Sequence, residues 1–368
     1  MIVTRRGALD GRRSAPDVER ERSETTNDTA AREAQVRQSY RSLVIALFVA
    51  YMLFAAGLKA WLNVSLTPDL WLIPLLLGAV VLGRAVAFLR DWVPLVFLIF
   101  GYEYLRGVAG NIVVGDGISA QDHGRVQVQQ LIDADLFLFG GTLPTHWIQD
   151  RLYVAGTAHW YDVAAVIVYG LHFVFPLVFG FMVWVGSKER FWQFSLAFLA
   201  MTYAGFIIFL LYPAAPPWLA DQWGFVSGVK FPSEQAVNAL LPRDAGGVNA
   251  IKLWTHASPN PVAAMPSLHA SFPWLVLLFS VRFFGKKGWV FLLYNAAVWF
   301  SVVYLGHHWV IDIIAGILWA TLWYAAIILL WPRIARGFKL PMPAWVGGAG
   351  RRLQSSLPAP LRRSPGNG

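Results

Sequence analysis

From Ile313 to Trp331 the chain runs without a single charged side chain. As a helix rising 1.5 Å per residue, that run is about 28 Å long, close to the roughly 30 Å of hydrocarbon in a bilayer. Lipid offers no partner for backbone N–H and C=O groups, so an isolated run of this kind has to be a helix. Apolar runs of similar character recur near 42–62, 71–89, 92–110, 162–185, 191–212, 268–284, 288–306 and 309–331. The composition agrees: 57% of the 368 residues are hydrophobic and 14% are charged, too apolar for a soluble chain of this length. The predicted fold class is all-α, a polytopic membrane helical bundle of about eight transmembrane helices.

The formal net charge of +9 invites a reading as a nucleic-acid binder, which the distribution of that charge excludes. Nine arginines fall within residues 1–41, and others mark the short connections at Arg84, Arg90, Lys188, Arg190, Arg282, Lys286 and Lys287. With an even number of spans, these positions and both tails lie on one side, which the positive-inside rule makes cytoplasmic. Residues 1–41 and the Pro-, Gly- and Arg-rich residues 336–368 lack the apolar content to fold alone and are expected as disordered cytoplasmic tails. The expected location is the plasma membrane. With no cysteine, thiolate chemistry, disulfides and Cys-ligated metals drop out, leaving His, Asp, Ser, Tyr and the basic residues to do any chemistry.

The non-cytoplasmic side receives two long segments, near 111–161 and 213–267. The first contains "VQVQQLIDADLFLF" and "PTHWIQDRLYVAG", which pattern as short amphipathic pieces on the membrane surface. The second is rich in Pro, Gly, Trp and Asn. Two motifs open onto this same side. In "PSLHASFPW", Ser267 can cap a new helix just after Pro266, which puts His269 one turn in. In "YLGHHWVIDIIAG", His308 and Asp312 are four residues apart, so on a helix they share a face. Asp312 can then hold one ring nitrogen of His308 and leave the other basic, the orienting half of a nucleophilic triad. The same three side chains would also serve as a polar staple between helices. An intramembrane aspartate paired with a motif histidine favours function.

Together with "YPAAPPW" at 212–218, the "PSLH" and "GHHWVID" motifs resemble the signature blocks of the type 2 phosphatidic acid phosphatase superfamily. "MPSLHA" and "HHxxxD" are similar to its inositol phosphorylceramide synthase branch. The resemblance covers about 160–331 and implies a six-helix catalytic core over 91–335, preceded by two additional helices over 42–90. It implies that His308 attacks phosphorus to give a phosphohistidine, that Asp312 orients it, and that His269 serves as acid and base. The implied partners are a membrane lipid donor and a hydroxyl acceptor, with no cofactor and no metal. Two features depart from the superfamily pattern: "FLLYPAAPPW" carries no basic residue, and Ser301 is followed by Val302 where an arginine usually sits. Loss of that phosphate-holding set shifts the expectation from hydrolysis toward transfer of a phosphorylated headgroup between lipids. Hydrolysis of a lipid phosphate or polyprenyl pyrophosphate is the alternative, and a non-catalytic lipid-binding or transport role the alternative of another class.

Candidate substrate contacts are His307, Ser267, His172, Tyr212, Asp162, Arg243 and Lys252, with Arg106 and Arg151 as further replacement cations. His159 stands beside Asp162 at the mouth of the fourth span. Glu103 can pair with Arg106 on one helix face. Pro216, Pro217 and Trp218 are expected at the cavity rim.

Overall fold

The computed structural model describes residues 72–114, 124–240 and 260–337. It is helical throughout, with no β element longer than an isolated bridge among the described residues. In chain order the helices are α1 (Leu72–Val81), α2 (Ala85–Val114), α3 (Gln129–Leu138), α4 (Pro144–Leu152), α5 (Trp160–Gly170) and α6 (Val174–Gly186). There follow α7 (Lys188–Leu211), α8 (Pro217–Gln222), α9 (Pro232–Leu240), α10 (Leu268–Phe284), α11 (Phe291–Tyr304) and α12 (Val310–Gly337).

Four described stretches are long and apolar enough to cross a membrane, five if the bent pair α5–α6 counts as one span. One of them, Leu268–Tyr304, is a hairpin: α10 packs against α11 through a 3₁₀ turn at Gly285–Val290, and Asn295 Nδ2 donates to Pro273 O across it (3.1 Å). Gly288 makes the turn possible, because a Cβ there would stand 2.4 Å from the backbone of Ser280. Large apolar side chains such as Val86, Phe97, Leu293 and Leu329 face outward, as a lipid-facing surface requires. The chain is a multi-pass membrane protein.

Two expectations change in detail. The span expected at 71–89 ends at Val81, and its described ten residues are about 15 Å long, half a bilayer. The apolar run 162–185 is broken into α5 and α6, which meet at 54° around Leu171–Phe173. The run 42–62 lies outside the described residues, as do the two tails apart from Arg336 and Gly337 at the end of α12.

The core is aromatic. Phe88, Trp92, Phe181, Trp184 and Phe191 tie α2 to α6 and α7, with Phe88 stacked on Trp92 at 5.1 Å between ring centroids. At one end of this layer the buried Asp91 accepts hydrogen bonds from Trp184 Nε1 (3.0 Å) and Lys188 Nζ (2.9 Å). The loop segments at the other end are stitched by bridges: Gln127 pairs with Ala214, and Ala214 with Ala263. Gln127 N donates to Pro213 O and Ala214 N to Val262 O, drawing the "YPAAPPW" and "MPSLHA" blocks into register beside α3.

Candidate active site

His269 is the second residue of α10, whose cap is Ser267: the Ser267 hydroxyl accepts from Ala270 N (3.3 Å), and Ser267 N donates to Asp312 O (3.1 Å). Ser271 Oγ shares its single proton between Ser267 O (2.8 Å) and Gly316 O (2.9 Å), locking α10 onto α12. The two helices meet so closely that a Cβ on Gly316 would lie 2.4 Å from Ser267 O. Ser267 therefore commits its side chain to the helix start.

His308 sits before α12, in the turn after α11. Gly306 opens that turn with φ +73°, a conformation that suits glycine, and Trp309 Nε1 anchors it to Ala215 O (2.9 Å). The four-residue spacing still delivers the pair, though through a turn and not along a continuous helix. His308 Nδ1 lies 3.3 Å from Asp312 Oδ2, which also accepts Trp309 N (3.0 Å). A carboxylate only accepts, so Nδ1 carries the His308 proton and Nε2 is the acceptor. That Nε2 lies 2.9 Å from His269 Nδ1, so the His269 ring donates to it. Nucleophile candidate, orienting carboxylate and acid/base candidate thus form one chain of contacts, all three buried or nearly so.

Further rings close around this chain. Tyr169 stacks on His269 with centroids 4.5 Å apart and lies 4.9 Å from the His307 ring. The α5–α6 bend places His172 against His269 at 3.9 Å, with His172 Nδ1 donating to Tyr169 O (2.5 Å). His307 is buried, and burial followed by the neighbouring His308 pushes its pKa down to about 3, so it is a neutral ring at physiological pH. The Arg106 guanidinium stands 5.8 Å from the Phe173 ring and within electrostatic reach of Tyr169, His172 and His269. Tyr212 ends α7 within electrostatic reach of Asp312.

Other sequence candidates sit elsewhere. Asp162 is fully buried, accepts the hydroxyl of Tyr304 and the backbone N–H of His159 (2.7 Å), and forms a capping box with His159 at the start of α5. Arg151 lies on the Trp147 ring at 3.9 Å. Arg243 and Lys252 lie outside the described residues. Among the described residues no group of three or more His, Asp or Glu side chains is arranged to hold a metal ion.

Sequence reasoning missed Tyr169 and, more tellingly, Asp135. Both carboxylate oxygens of Asp135 accept backbone N–H groups of α12, from Val310 and Ile311, at 2.9 Å each. A signal existed: Asp135 lies four residues after Leu131 and three after Ile132, on the buried face of α3, whereas Asp133 faces outward. Burial pushes the Asp135 carboxyl up to about 6, against the pull of its two backbone bonds.

A family model described as the PAP2 superfamily matches residues 131–326, more than half of the chain and all of the cluster except Arg106. The chain belongs to the PAP2 superfamily. Membership makes it a membrane phosphotransferase, and sets the histidine pair of α10 and the α11–α12 turn in a family context. Among curated PAP2 relatives, the phosphoinositol dihydroceramide synthase of Bacteroides thetaiotaomicron is 29% identical over 285 residues, covering 75% of this chain and 86% of that protein. The inositol phosphorylceramide synthase of Candida albicans is 29% identical over 42% of this chain and 33% of its own length. The corresponding catalytic subunit of Saccharomyces cerevisiae is 28% identical over 52% and 47%. The chain thus spans less than half of the fungal relatives. No solved structure matches it significantly.

Proposed function

We propose that the protein transfers a phosphoinositol group from a phospholipid donor to the hydroxyl of a ceramide-type lipid, through a phosphohistidine on His308. The observation that carries this reading is the Asp312–His308–His269 chain, in which one nitrogen of His308 is held by a carboxylate and the other faces a second histidine. The names of the relatives supply the transferred group and the acceptor class.

In the first step His308 Nε2 attacks phosphorus and the bond to the diacylglycerol oxygen breaks. His269 acts as the acid that gives a proton to that oxygen, and regains one in the second step. In the second step the acceptor hydroxyl attacks, its proton passes to His269, and the P–N bond breaks. His269 is the hydrogen-bond partner of the nucleophilic nitrogen at rest, so the arriving phosphoryl group has to part the two rings. Among the described residues Arg106 is the basic residue best placed to hold phosphoryl oxygens, in the role of the missing superfamily set. His172, with Nδ1 spent on a carbonyl, presents Nε2 as an acceptor suited to a substrate hydroxyl. The site faces the non-cytoplasmic side, with both termini cytoplasmic.

The test supplies purified protein with phosphatidylinositol labelled in the headgroup phosphate, with and without ceramide. Labelled inositol phosphorylceramide forms only with acceptor, and without it an acid-labile label accumulates on the peptide containing His308. His308→Ala abolishes both. Full-rate release of water-soluble inositol phosphate without acceptor replaces transfer by hydrolysis, and retained activity in His308→Ala refutes the phosphohistidine.

A further inference from the structure

The start of α12 and the residue before it offer three backbone donors, at Trp309, Val310 and Ile311, to two carboxylates. Asp312 takes the first through Oδ2 (3.0 Å), the same oxygen that faces His308 Nδ1, while its Oδ1 is buried without a hydrogen-bond partner. Asp135 takes the other two, at 2.9 Å each, from 175 and 176 residues away along the chain. The positive end of a helix attracts both carboxylates, and unpaired N–H groups in its first turn draw in whichever acceptor is near. With Asp135 gone, the idle Oδ1 of Asp312 is the nearest anionic oxygen that belongs to the helix itself.

We propose that Asp135 is a positioning residue for phosphoryl-group transfer: by saturating Val310 N and Ile311 N it keeps the Asp312 carboxylate turned toward His308. The proposal rests on the reading of His308 as the nucleophile. Asp135 touches no reacting atom and acts entirely through Asp312. It also makes α3, a helix patterned to lie on the membrane surface, part of the machinery that orients the nucleophile.

A double-mutant cycle decides the matter. Asp135→Asn keeps size and shape but retains only one acceptor oxygen, and lowers kcat about 10- to 100-fold with KM for both lipids little changed. In an Asp312→Asn background the same substitution has less than about threefold further effect, because the carboxylate it positions is already gone. Loss that multiplies in the double variant shows Asp135 to be a structural support only, and overturns the proposal. Asp133→Asn, on the exposed face of the same helix, retains wild-type rate.

A second readout needs no lipid. Carbethoxylation of His308 by diethyl pyrocarbonate, followed by peptide mass spectrometry, slows several-fold in Asp135→Asn and in Asp312→Asn, and no further in the double variant. Equal rates in wild type and Asp135→Asn overturn the positioning role. If the wild type transfers no phosphoinositol, the proposed function fails, while this second readout still decides what Asp135 does.

Discussion

The helices α10 and α12 approach closely at Gly316, and Gly316→Ala tests whether that closeness matters. The added Cβ would stand 2.4 Å from Ser267 O, 3.1 Å from Ser271 Oγ and 3.2 Å from Ala270 Cβ. Ordinary contact begins near 3.4 Å, so α10 and α12 must part by about 1 Å. Such overpacking costs about 1–3 kcal/mol. The Ser271 bond to Gly316 O, now 2.9 Å, would stretch past hydrogen-bonding range, at about 1 kcal/mol more. Against this, alanine gains about 0.8–1 kcal/mol of helix propensity over glycine. The net is a loss of about 1–3 kcal/mol, dominated by the steric term. The effect on rate should exceed the effect on stability, because Ser267 is two residues from His269 and a 1 Å misplacement of reacting groups costs about 100-fold. Purified variant and wild type are compared by thermal unfolding in detergent and by headgroup transfer from labelled phosphatidylinositol to ceramide. A variant that keeps both wild-type melting temperature and a rate within about threefold refutes the argument that this crossing sets the distance between the histidines.

Tyr304→Phe removes the hydroxyl that Asp162 accepts and costs about 1–3 kcal/mol, with KM for both lipids unchanged; a KM shift at constant melting temperature would instead make Asp162 a substrate contact. Gln149→Ala deletes the bonds to Tyr304 O (2.7 Å), Lys230 O (3.1 Å) and Lys230 N (2.7 Å), and should speed amide exchange at residues 228–231 while lowering the melting temperature. Asp135→Asn should change how stability varies with pH. Burial raises the native Asp135 pKa to about 6, above the ordinary aspartate value of 3.8, so its contribution is fully present below pH 3.8 and is lost as pH rises through 6. Measured from pH 4 to pH 8, wild type should lose melting temperature relative to the Asn variant, and parallel curves would contradict the buried, raised carboxyl.

Much of this was legible in the sequence because apolar length and motif order survive folding unchanged. The run from Ile313 to Trp331 is one helix, and "PSLH" and "GHHWVID" do bring their histidines into contact. What was not legible depends on partners distant in sequence. The α5–α6 bend falls inside an apolar run whose local marks, Gly170 at the end of α5 and Pro176 in the first turn of α6, do not by themselves show that the chain turns by 54°, yet it is what brings His172 to His269. Asp162 at a helix mouth reads as a ligand group until Tyr304, 142 residues later, claims it. Asp135 reads as the wet side of a surface helix until its two partners on α12 are known, although its spacing from Leu131 and Ile132 was a usable clue.

The bond from α3 to α12 also sets an order of events during synthesis. Asp135 emerges from the ribosome some 175 residues before Val310, and the Ser267 and Gly316 backbones meet only once the final span is in the bilayer. A growing chain already holding His269 and most of its helices therefore has no assembled centre. On the proposed reading of His308 as the nucleophile, reactivity toward lipid begins only with the entry of the last helix.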